Sequence, residues 1–129
     1  MISADQELYD VLYYYSQSEL KFDTYDQLPR SDASYPFVHF GVTEEDSGII
    51  KNAKSGELTQ TINVWGDQDM RFKIAQMMDK FVLNRVVSDH YIFNLTSYQK
   101  RILPDSSVPN TRLYHGVLTL VFDYMKGSK

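Results

Sequence analysis

Three histidines, at positions 39, 90 and 115, are the side chains of this chain best suited to proton transfer or to holding a transition metal. A general base needs a second group to orient it, and a metal needs several ligands at a recognisable spacing. Asp89-His90 lacks the HExxH spacing that sets two imidazoles on one helix face, and His115-Gly116 has no serine elbow beside it. His39 falls among aromatic and β-branched residues, opposite Val38 and Phe40, and reads as a packed or surface residue of a strand. With no cysteine, thiol nucleophiles, CxxC pairs and thiolate zinc sites are excluded. Glu44-Glu45-Asp46 is an acidic run in an expected loop. Consecutive loop carboxylates point in different directions and lack EF-hand spacing, so the run reads as solvated rather than as a calcium or magnesium site. The glycines at 41, 48, 56, 66, 116 and 127 are isolated and form no phosphate-binding loop. No catalytic residue, metal or cofactor is therefore expected.

The elements that would position these groups follow from periodicity. Ser3 and Gln6 have capping-box spacing, and Leu8, Val11, Leu12 and Tyr15 recur at helical intervals, so the chain opens with a helix. Tyr9, Tyr13 and Tyr14 lie on or beside that apolar stripe, either as interface residues or packed under a neighbouring strand. The polar segment 17–34 is a connection with a possible short strand at Leu20–Tyr25. Tyr35 to Thr43 reads as a strand with Pro36 at its start and Val38, Phe40 and Val42 on one face. Glu57 to Trp65 alternates cleanly, with Leu58, Gln60, Ile62 and Val64 facing one way. The segment from Glu44 to Gly56 between them is either a flexible excursion or a binding loop.

Gly66-Asp67 breaks the strand and offers an N-cap to a second helix carrying Met70, Ile74, Met77, Met78, Phe81 and Val82, up to about Asn84. The adjacent methionines are core filling. Tyr91, Phe93 and Leu95 alternate, Tyr98 to Leu103 continues extended, and Pro104-Asp105-Ser106-Ser107 holds turn formers. Arg112 to Met125 closes as a long strand, apolar on both faces at its centre and so central or covered by helices. Strands arriving in neighbouring pairs predict an α+β fold: a mostly antiparallel β-sheet with the N-terminal helix and a second helix packed on one face. A parallel α/β sheet is the lesser alternative.

At 129 residues the chain is expected to be a single domain, 1–129, and the net charge of −4 leaves no basic stripe for phosphates. The first ten residues lack a signal-peptide pattern, and the longest apolar runs fall far short of a membrane span of about 20 residues. A soluble protein made in the cytoplasm, with no membrane partner, is expected. Ten tyrosines, seven phenylalanines and one tryptophan suit surfaces that meet another protein.

The succession of Tyr35-Pro36-Phe37-Val38-His39-Phe40-Gly41, Thr61-Ile62-Asn63-Val64-Trp65-Gly66, Arg101-Ile102-Leu103-Pro104-Asp105 and Thr111-Arg112-Leu113-Tyr114-His115-Gly116-Val117-Leu118 resembles the tail-terminator, or tail-completion, proteins of long-tailed bacteriophages and prophages. The resemblance runs from the first helix to about Phe122. It implies a non-enzymatic virion protein at the head-proximal end of the tail, assembled in the host cytoplasm. Copies would form a homo-oligomeric, hexameric ring that ends polymerisation of the major tail tube protein and meets the head connector or a head-completion protein. DNA would pass through the channel without specific binding. A head-closure or connector-adaptor protein is the nearest alternative, and a small ligand-binding domain or enzyme using His39 or His115 the more distant one. Tyr9, Tyr13, Tyr14, Glu44, Glu45, Asp46, Ile49, Ile50, Lys51, Asp105 and Arg112 are the candidate interface residues, and channel-lining acidic side chains would repel passing DNA.

Overall fold

Leu8 and Leu12, one helical turn apart, give α1 (Ala4–Tyr14) its fully buried stripe, flanked by Ala4 and by a buried carboxylate, Glu7. The computed structural model, which describes residues 2–30, 33–46 and 55–127, differs at this helix from the capping-box expectation. Ser3 occupies the N-cap, but its side chain makes no cap bond, and Gln6 Nε2 donates instead to Asp10 Oδ1 at 2.8 Å. An i,i+4 partner on the exposed helix face has displaced the reach back to the N-terminus. A wider turn of π-type bonding, Tyr15–Glu19, prolongs the helix.

The strands are β1 (Thr24–Tyr25), β2 (Phe37–Asp46), β3 (Ser55–Asp67), β4 (Arg85–Val87), β5 (Tyr91–Asp105) and β6 (Leu113–Lys126), with α2 (Arg71–Asp79) between β3 and β4. They form one six-stranded sheet in the order β1-β2-β3-β6-β5-β4. β1 joins β2 in parallel and the remaining pairings are antiparallel. The fold is α+β with both helices on one sheet face, and β6 is central, between β3 and β5.

The acidic run does not lie in a loop. Glu44, Glu45 and Asp46 continue β2 opposite Thr59, Leu58 and Glu57, because ladder bonds form from the backbone and solvent at the sheet edge accommodates the carboxylates. Ile49, Ile50 and Lys51 lie outside the described residues. A bulge separates Phe40, opposite Ile62, from Thr43, opposite Gln60, so three steps on β2 match two on β3. The bulge inverts the alternation: Val38 and Phe40 are buried, but Val42 is 62 % exposed rather than on their face. Buried Gln60 fills the irregularity, accepting from the Thr43 hydroxyl at 2.5 Å and donating from Nε2 to the Thr61 carbonyl at 2.9 Å.

Regular α-helix in α2 ends at Asp79, short of the expected Asn84. The N–H groups of Lys80, Phe81 and Val82 bond three residues back, tightening the last turn, so Phe81 still reaches the core. Asp67 caps the turn before α2 rather than the helix itself. Its Oδ1 accepts from the Asp69 N–H at 2.9 Å and its carbonyl from the Met70 N–H at 3.1 Å, while Met70 takes the N-cap position. Gly116 lets α2 lie close to the sheet: a Cβ there would stand 2.5 Å from Met78 Sδ and 2.8 Å from Ile74 Cγ2. Phe81 is the hub beneath the helices, its ring 6.1–6.2 Å from those of Tyr15, Phe22 and Phe40. Full burial of the Phe81 ring contributes about 1.5–3 kcal/mol of transfer free energy.

Candidate functional site

Alternation with period two sends His39, Asn63, Trp65 and His115 to the sheet face that the helices leave open. His39 is directly opposite Asn63, and Trp65 opposite His115. Asn63 Oδ1 lies 2.7 Å from His115 Nε2 and its Nδ2 3.3 Å from His39 Nδ1. An amide oxygen can only accept, so His115 carries its proton on Nε2; the amide NH₂ donates, so His39 Nδ1 is unprotonated. Burial lowers both imidazoles below their usual value, opposed at His39 by Asp26 and at His115 by Asp105, with His39 adding to the lowering at His115. Both rings are therefore biased towards the neutral form. The group joining them is an amide, which cannot stabilise an imidazolium as the carboxylate of a nucleophilic triad does.

Trp65 stacks on the His115 ring with centroids 3.9 Å apart and planes 9° from parallel, and its Nε1 is buried with no partner among the described residues. Hydrogen bonds and stacking thus tie β2, β3 and β6 across a half-buried polar row. Among the described residues, no three histidine, aspartate or glutamate side chains converge as a metal site would require. No helix among them is long and apolar enough to cross a membrane.

The expected interface residues fall at three separate places. Tyr9 and Tyr13 stack on each other at 5.8 Å and both contact the Phe40 ring at 5.3 Å, while the Tyr13 hydroxyl donates to the Thr24 carbonyl at 3.0 Å. They pack α1 onto β1 and β2, whereas Tyr14 is 61 % exposed. Glu44, Glu45 and Asp46 occupy the end of β2, where Glu45 accepts the hydroxyl of Tyr124. The hydrogen-bonded carboxylate and burial together push that phenol well above its usual value, burial being the larger cause. Asp105 and Arg112 flank the β5–β6 connection at the opposite end of the sheet. Asp105 Oδ1 accepts from the Ser107 N–H and hydroxyl, which holds its carboxyl below the usual value. No protein-family model matches the chain, and no curated protein matches its sequence.

One constellation escaped the sequence reading. Glu7 Oε1 accepts from Ser88 Oγ at 2.5 Å and from the His90 N–H at 3.0 Å, and Oε2 lies 2.6 Å from His90 Nδ1. It latches α1 to the β4–β5 turn. The available signal was a glutamate on the stripe of Ala4, Leu8 and Val11, where only an apolar residue or a paired charge belongs.

Proposed function

We propose that this chain is a structural, ring-forming subunit at the head-proximal end of a phage tail tube, where it ends tube growth and joins tail to head. The observation that carries the reading is the spatial grouping of the residues behind the resemblance. Segments 37–41, 61–66 and 113–118 run together on β2, β3 and β6, with 101–105 beside them on β5, and His39, Asn63, Trp65 and His115 form one row on the helix-free face. That row is internally hydrogen-bonded across three strands, which suits a rigid contact platform. Exposed Tyr14, Phe72 and Tyr98 add amphipathic or apolar surface of the kind subunit contacts use.

Electron microscopy of particles made without the protein tests the assignment. A terminator's loss gives overlong or headless tails. A head-closure protein's loss gives tails of normal length beside leaking heads. Normal infectious particles would contradict both.

A further inference from the structure

Both outer strands of the sheet are covered along only part of their length. β1 pairs with β2 at Val38 and His39, so from Phe40 to Asp46 the outer edge of β2 has no strand partner among the described residues. β4 pairs with Ile92 to Asn94 of β5, and the Asn84 carbonyl takes the Leu95 N–H, which leaves the edge from Thr96 to Asp105 likewise open. An open edge is a template for another strand. The two open stretches differ in sign: Glu44, Glu45 and Asp46 on β2 against Lys100 and Arg101 on β5.

The geometry points to a head-to-tail interface in which the open edge of β5 in one copy pairs antiparallel with the open edge of β2 in the next, Glu44 opposite Arg101. This deepens the ring element of the function proposed above and names how copies of this chain join. Strand direction permits it, because β2 and β5 run oppositely within the sheet, and rotation about an axis along the strands preserves that relation. In this register Val42 meets Leu103, Thr43 meets Ile102, Glu45 meets Lys100 and Asp46 meets Gln99. Val42 and Leu103 are exposed hydrophobic residues that gain cover from each other. The β2 bulge keeps the pairs face by face, with Val42 and Glu44 on the open side together with Leu103 and Arg101. Lys100 already touches Asp79 at 2.6 Å, and a solvent-exposed pair of that kind yields readily.

The register also matches what closure requires. Within one subunit Glu44 is level with Ser97, through Thr59 and Val121. Pairing it with Arg101 therefore slips the next subunit by four residues, about 13 Å at 3.3 Å per residue. Across β2, β3, β6 and β5 this is one residue per strand, the shear-to-strand ratio that tilts closed barrels by about 36°.

Disulfide trapping in the full chain tests the interface directly, because the protein has no cysteine of its own. Single variants V42C and L103C alter exposed positions, and in the stated register their Cβ atoms lie about 4.5–5.5 Å apart, within reach of a disulfide after small adjustment. Mixed and oxidised at high protein concentration, V42C and L103C are expected to cross-link about tenfold faster than either alone, and about tenfold faster than V42C with the out-of-register Q99C. Equal rates, absence of cross-linking, or self-linking of V42C would overturn the interface. E44R and R101E should each slow the V42C–L103C cross-link and together restore it, and failure of that rescue would overturn the stated register. Trapping in register beside tails of normal length in particles lacking the protein would sink the terminator assignment and leave the interface standing. Overlong tails without trapping would do the reverse.

Discussion

Replacing Glu7 by alanine should loosen α1 from the β4–β5 turn and lower stability by about 2–3 kcal/mol. Its carboxylate accepts two hydrogen bonds, from Ser88 Oγ and the His90 N–H, and contacts His90 Nδ1. A hydrogen bond to a charged group contributes about 1.5–3 kcal/mol, and bonds sharing one acceptor do not add fully. For a chain of this length about 2–3 kcal/mol lowers the melting temperature by roughly 6–15 °C. Glu7→Gln keeps a neutral acceptor for Ser88 and the His90 N–H and should cost only about 1 kcal/mol. The pH dependence identifies the charge. Burial raises the Glu7 carboxyl, but the bonds from Ser88 and His90 outweigh it and hold it below the usual 4.5. The folded value lies below the unfolded one, so this stabilisation is fully present above about pH 4.5 and is lost as pH falls through the folded value. Thermal melts followed by circular dichroism should show a gap between the wild type and Glu7→Gln at neutral pH that narrows at about pH 3. A gap constant across that range, or a Glu7→Ala variant within about 0.5 kcal/mol of wild type, would refute the latch.

Gly116→Ala should destabilise by about 1–3 kcal/mol in the same melts, because the added methyl meets Met78 Sδ and Ile74 Cγ2 and must push α2 off the sheet; an unchanged melt would show that α2 adapts freely. The single tryptophan stacks on His115, whose imidazole burial keeps neutral below its usual 6.5, so emission from Trp65 should change only as pH falls below that value, and this step should vanish in His115→Asn. Because His39 and His115 are both depressed, the stability they contribute is present above about pH 6.5 and declines as pH falls through their folded values; denaturant unfolding at pH 7 and pH 5.5 should show the loss, and a more stable protein at the lower pH would contradict it.

Alternation in β3 was fully legible, since Leu58, Gln60, Ile62 and Val64 all face the helices as their spacing predicts. The length of β6 and its central position were legible from an apolar centre on both faces. The β2 bulge was not, because a bulge is a mismatch between two strands and only the ladder with β3 reveals that Gly41 and Val42 together oppose one residue. Reading Val42 with Phe40 followed from perfect alternation, and taking Glu44 to Asp46 as loop followed from charge, which edge strands tolerate. The end of α2 was obscured by Phe81 and Val82, which keep helical spacing although the backbone has already tightened. Of the expected contact residues, Tyr9 and Tyr13 pack from α1 against Phe40 while staying partly exposed, as an amphipathic side chain on the border of an apolar stripe can. The row of His39, Asn63, Trp65 and His115 depended on pairing between distant strands, which no spacing along the chain encodes.

The length of tail tubes grown with and without this protein tests the proposed role most directly. Purified tube protein polymerising alone should give long, broadly distributed tubes, and the added full chain should cap one end and stop growth at far less than one copy per tube subunit. Tubes that grow to the same length with the protein present, or that carry it along their walls rather than at one end, would contradict the role of a terminator.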